Sequence, residues 1–154
     1  MNIIELMNTN VVSCSAHDTL ERAAQLMWEG DLGAVPVLDD AGHPIGLITD
    51  RDICIAAYTQ GCRLSESQVA SAMARELVTC KPTDSVGYAA ELLRKYQVRR
   101  LPVVDGEKLV GMISLNDFAS AATSKRGNKA GLDALGVTLA RIGEPRRLHA
   151  VAAE

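Results

Sequence analysis

Two short stretches of this chain hold the residues best suited to chemistry, Gly46-Leu47-Ile48-Thr49-Asp50-Arg51-Asp52 and Gly111-Met112-Ile113-Ser114-Leu115-Asn116-Asp117. Each reads as glycine, two apolar residues, a hydroxyl residue, two variable residues and an aspartate. On the first turn of a helix, a hydroxyl and a carboxylate three apart lie on one side, beside unpaired backbone N–H groups and the positive end of the helix dipole. Such a corner can hold an anion. The carboxylate can also accept hydrogen bonds from both hydroxyls of a ribose, while the Thr or Ser hydroxyl serves sugar or phosphate. The same pair can be a capping box that merely starts a helix. Recurrence at equivalent places, each after a glycine and an apolar strand, favours a ligand.

These corners belong to a longer repeat. Val12, Cys14, Asp18, Ala23, Ala24, Leu26, Pro36 and Val37 meet identical residues 66 positions later. After a turn that is one residue longer in the first copy, Gly46, Ile48 and Asp52 meet Gly111, Ile113 and Asp117 at a shift of 65. A deletion in a surface turn is what a repeat tolerates. The lead-in repeats as well, with Ile3, Leu6 and Met7 matching Val69, Ala72 and Met73.

Each copy reads as strand, helix, two strands and helix. Leu20, Ala23, Ala24 and Met27 form one helical face behind Asp18, an expected N-cap, and Val86, Ala89, Ala90 and Leu93 repeat it behind Asp84. Ala34–Leu38 and Ile45–Ile48 read as a hairpin in which Pro36, like Pro102, signals an edge or a bulge. The last helices are expected to start near Asp50 and Asn116 and to stop at Gly61 and Gly127. The expected units are residues 1–62, 63–124 and a tail, 125–154, that is a weak helix at most around 132–139 and mobile at its end.

Composition narrows the function. The chain has 154 residues with a formal charge of −3 and 3% aromatics. That supplies neither the basic face nor the stacking platforms of a nucleic-acid binder, so contacts through Arg99, Arg100 and the basic residues 125, 126 and 129 are a third reading, behind ligand binding and a ligand-free interaction subunit. No apolar run approaches a membrane span, and the start lacks a signal peptide, so a cytoplasmic location is expected. Cysteines at 14, 54, 62 and 80 fit no zinc pattern, and Cys14 and Cys80 read as small buried hydrophobes. His17, His43 and His149 have no partners at metal spacing, so no metal is expected. No nucleophile with an attendant base stands near Asp50-Arg51-Asp52, so binding without catalysis is expected.

With both corners, the Met-containing lead-ins, the strands around Val12 and Val78, the capped helices and Val35-Pro36-Val37 or Leu101-Pro102-Val103-Val104-Asp105 in order, residues 1–124 resemble a tandem of cystathionine-β-synthase-type (CBS) domains, a Bateman module. The resemblance implies an α/β fold of two β-α-β-β-α repeats about a pseudo-twofold axis, with clefts built by both copies. It implies an adenosine-containing ligand: AMP or ATP first, S-adenosylmethionine or NAD as other candidates. It would put Thr49 and Asp52 on ribose and phosphate, Leu47, Val78 and Val98 around adenine and Arg100 near the phosphate. The other cleft would use Ser114, Asp117, Val12, Leu32 and Met112. Because Ala34 stands where Arg100 stands, a phosphorylated ligand is expected to prefer the Thr49/Asp52 cleft. The resemblance further implies a homodimer, with Ile53, Ala56, Ala57, Phe118 and Ala122 as contacts, and an unidentified regulated protein that reads the shape. A ligand-free interaction subunit is the alternative.

Overall fold

The computed structural model describes residues 1–123 and 129–144. The first copy forms β1 (Cys14–Ser15), α1 (Leu20–Glu29), β2 (Ala34–Leu38), β3 (Pro44–Thr49) and α2 (Asp50–Gln60). The second forms α3 (Val86–Tyr96), β4 (Arg100–Asp105), β5 (Lys108–Ser114) and α4 (Leu115–Thr123), and α5 (Lys129–Gly143) follows. In the first sheet β2 lies between a parallel β1 and an antiparallel β3. In the second, β4 pairs antiparallel with β5, and the counterpart of β1 shrinks to one parallel bridge from Cys80 to Val103. A register shift follows each proline, at Val37/Leu38 and Val103/Val104, so the bulge half of the expectation holds.

The caps sit one residue later than the sequence suggests. Thr19 and Ser85 accept from the N–H groups of Arg22 and Tyr88, while Asp18 and Asp84 reach back to the N–H groups of Ser15 and Lys81, 2.8 Å away in both cases. The aspartates therefore fasten the strand-to-helix turn, and the hydroxyls start the helix. Gly61 ends α2 with φ of 63°, a left-handed conformation that glycine adopts without strain.

There are two cores, and each is completed by the segment that precedes the other copy. Val69 and Met73 are buried in the first core with Leu20, Val35 and Ile48. Ile3 is buried in the second with Leu93, Leu101 and Ile113. Backbone bonds fix the exchange. Leu20 N–H donates to the Ser67 carbonyl and Val69 N–H to that of Asp18, both at 2.8 Å, while Ile3 N–H donates to Asp84 at 2.9 Å. Asn8 and Met112 exchange two backbone bonds, and Ala74 and Leu47 exchange the equivalent two. Gly46 and Gly111 admit these crossings: a Cβ on Gly46 would stand 2.8 Å from the Ala74 carbonyl oxygen, and one on Gly111 2.7 Å from Met7 Sδ.

Past α4 the structure departs from the expected weak helix. α5 runs for 15 residues and packs on α3 and α4, with Leu135 and Ile142 joining the second core. Thr138 is buried and accepts from Arg94 Nη1 at 2.9 Å, and Gln97 Nε2 donates to the carbonyls of Arg141 and Glu144. Gly127, the basic residues 125 and 126 and the end from Pro145 lie outside the described residues. Ile53, Ala56 and Phe118, expected as dimer contacts, are buried within the two cores, because helix residues of that spacing face their own sheet.

Candidate functional site

The strand-to-helix corners form as the spacing requires. At the first, Thr49 Oγ1 accepts from Asp52 N–H, and Asp52 Oδ2 accepts from both the N–H and the hydroxyl of Thr49, at 2.9 and 2.7 Å. At the second, Asp117 Oδ2 accepts from the N–H and the hydroxyl of Ser114, each at 2.7 Å. Each corner is tied to its own hairpin, since Asp50 N–H donates to the Gly33 carbonyl and Leu115 N–H to that of Arg99. Both aspartates are thus held by one oxygen, with the side chain only half-buried.

A hollow of about 440 Å³ lies in front of the second corner. That is within the range of about 300–1,000 Å³ usual for small-molecule sites. Ser114, Asp117, Val12, Leu32 and Met112, the set expected together, all line it. So does Arg100, which the resemblance had put with Thr49 and Asp52. The register of the β4–β5 hairpin sets Arg100 opposite Ser114, so its side chain rises beside its own copy's corner. Its guanidinium lies over Gly33, where a Cβ would stand 2.8 Å from Nη2. In the first hairpin Ala34 stands opposite Thr49.

Of the other set, Thr49 and Asp52 share the α2 start, and Leu47 bridges to Ala74. Val78 and Val98 pack half-buried against the second core. Sequence reasoning missed Asn8, Asn10, Asp31 and Asn116, which add polar groups to the Arg100 hollow. Asn8 and Asn10 have no counterpart in the other copy, where Ala74 and Glu76 stand, so a search for repeated residues passes them over.

Burial pushes the thiol of Cys14 up to about 11 and that of Cys80 up to about 12, with Asp18 and Asp84 adding to the shift. Both remain neutral thiols at neutral pH. Among the described residues no three His, Cys, Asp or Glu side chains gather as a metal site would need.

The sequence profile of the CBS domain matches residues 3–58 and again residues 68–124. The chain belongs to the CBS-domain family. It is 38% identical to the CBS domain-containing protein YhcV of Bacillus subtilis over 118 residues, 77% of this chain and 83% of that one. Hypoxic response protein 1 of Mycobacterium tuberculosis is 34% identical over 116 residues, covering 75% and 80%. A crystal structure of that response protein, with two coordinated zinc ions, superposes with a TM-score of 0.71 over 77% of this chain and 97% of the other, at 30% identity. The CBS domain pair of protein MJ0100, solved with 5′-methylthioadenosine and S-adenosylmethionine, has the same fold with a TM-score of 0.71 at 21% identity, covering 77% and 93%. A CBS pair is a regulatory module. Among the described residues no helix is long and apolar enough to cross a membrane.

Proposed function

We propose that this CBS pair binds an adenosine-containing ligand, AMP or ATP in the first place, in the hollow of Ser114, Asp117 and Arg100, and signals by a change of shape without catalysis. One observation supports the reading most: an aspartate at a helix start and an arginine fork face the same 440 Å³ space. Asp117 Oδ1 accepts from the ribose hydroxyls, Arg100 takes the phosphate, and Val12, Leu32 and Met112 flank the purine. The complex of the MJ0100 pair with two adenosine compounds supports the ligand class. S-adenosylmethionine and NAD are the next candidates. Thr49, Asp52, Leu47, Val78 and Val98 would form a second site.

The signal passes by linkage, because a ligand that touches both copies shifts their arrangement only by its differential affinity. The protein acts in the cytoplasm on a regulated partner. It assembles as a homodimer through the outward side of α2, where Ile55 is 50% and Tyr58 86% exposed. A thermal-shift panel of AMP, ATP, S-adenosylmethionine, NAD and adenosine on the full chain tests the reading. At a hundredfold excess over Kd, a ligand should add about 2.7 kcal/mol, or roughly 5–10 °C for a chain of this size. No shift with any of the five would leave a ligand-free interaction subunit. Light scattering of wild type and Tyr58→Asp tests the dimer.

A further inference from the structure

The hollow at the second corner holds charges of both signs in unequal number. Among the described residues that line it, those with a formal charge are Arg100, Asp117 and Asp31. Neither carboxylate forms an ion pair with the guanidinium, and among the described residues no side chain hydrogen-bonds it. Arg100 is therefore open to one anionic group of a ligand. Ser114 already occupies one oxygen of Asp117, whereas the Asp31 carboxylate has no partner among the described residues.

The backbone does not require a charge at residue 31. Asp31 is left-handed with φ of 49°, and so is its repeat counterpart Gln97, also at 49°. Asparagine and glycine adopt that conformation as readily as aspartate. In the second copy the position is neutral, and the Gln97 amide donates to the carbonyls of Arg141 and Glu144. In the first copy the side chain stands at the mouth of the hollow. The wall runs in a fixed order: Arg100 rises opposite Ser114, its guanidinium lies over Gly33, and Leu32 joins Gly33 to Asp31. Asn8, Asn10, Asn116 and Asp31 are lining residues that are themselves exposed, so the hollow opens to solvent there. Its volume then sets no limit on the length of a phosphate chain, and charge is left to decide.

We propose that Asp31 sets the number of phosphates the hollow accepts, admitting an adenosine monophosphate and disfavouring the di- and triphosphate. The proposal rests on the ligand reading above and narrows it. One phosphate, carrying about −1.5 to −2 charge at neutral pH, is matched by the Arg100 fork. Each further phosphate extends the chain past the guanidinium toward a second carboxylate, and meets repulsion at short range in a partly desolvated cleft. Discrimination comes from the repulsive group as much as from the attractive one.

The test is isothermal calorimetry of adenosine, AMP, ADP and ATP on the full chain, in buffer with a chelator so that no divalent ion masks phosphate charge. AMP should bind at least about tenfold more tightly than ATP, with ADP between them, and added salt should narrow the gap. Asp31→Asn and Asp31→Gly, which both suit the left-handed backbone, should bring ATP to within about threefold of AMP and leave adenosine unchanged. Asp40→Asn removes the same charge from the exposed β2–β3 turn, outside the hollow, and should leave the preference intact. ATP binding as tightly as AMP in the wild type overturns the proposal. So does a preference for AMP that survives both Asp31 variants, or one that Asp40→Asn abolishes equally. If none of the four compounds binds, the ligand reading itself fails and carries this proposal with it, whereas AMP binding without discrimination sinks the role of Asp31 alone.

Discussion

Replacing Arg100 with alanine separates the two arrangements that sequence and structure offer for the phosphate. The guanidinium shares its hollow with Ser114 and Asp117 and lies against Gly33. A hydrogen bond to a charged group contributes about 1.5–3 kcal/mol net, which corresponds to about 10- to 150-fold in Kd. Arg100→Ala should weaken AMP by that factor and leave adenosine within about twofold, since adenosine offers no phosphate. Because the two groups would grip one molecule, the effects of Arg100→Ala and Asp117→Ala on AMP should not add, whereas Arg100→Ala and Asp52→Ala should act independently. Isothermal calorimetry on wild type, the three single variants and the two doubles measures all of this. Coupling of Arg100 to Asp52 instead of Asp117, or an equal loss of adenosine and AMP, would refute the geometry.

Gly46→Ala sets a Cβ 2.8 Å from the Ala74 carbonyl oxygen, which is backbone and cannot step aside. It should cost about 1–3 kcal/mol in urea unfolding, as overpacking does. Ile3→Ala empties a fully buried place in the second core and should cost about 2–5 kcal/mol, while Ile4→Ala, at a residue 59% exposed, should cost less than about 1 kcal/mol. The raised thiols of Cys14 and Cys80 stabilise the fold fully below the unfolded-state thiol value of about 8.5. That contribution fades as pH climbs toward about 11 and 12, the folded values. Between pH 8 and pH 11 the melting temperature of wild type should therefore fall more than that of a Cys14→Ala, Cys80→Ala variant.

The repeat, the α/β order and the two corners were legible because each rests on local pattern: apolar period, turn residues and a hydroxyl three before an aspartate. The position of Arg100 was within reach too. Counting back from the Gly106 turn puts it opposite Ser114, but matching copy to copy drew attention to Ala34 instead of to the hairpin register. The crossing of the lead-ins was not legible, since the matched apolar triplets Ile3, Leu6, Met7 and Val69, Ala72, Met73 say what is apolar and not which of two like cores receives it. α5 escaped for another reason. With Gly136 and Gly143 in it, its helicity comes from packing on α3 and α4 more than from its own propensities.

The exchanged lead-ins also order events during synthesis. Everything the first core needs, from Cys14 to Met73, leaves the ribosome as one run, so that half can close early. The second half must wait: Ile3, made long before, has to be kept unspent until Phe118 emerges and the ring from start to finish is drawn shut. An early mistake is thus easy to imagine in physical terms, the N-terminal segment settling in the berth meant for Val69 and Met73, and a slow refolding phase that vanishes when Ile3 and Met7 are made polar would be its kinetic trace.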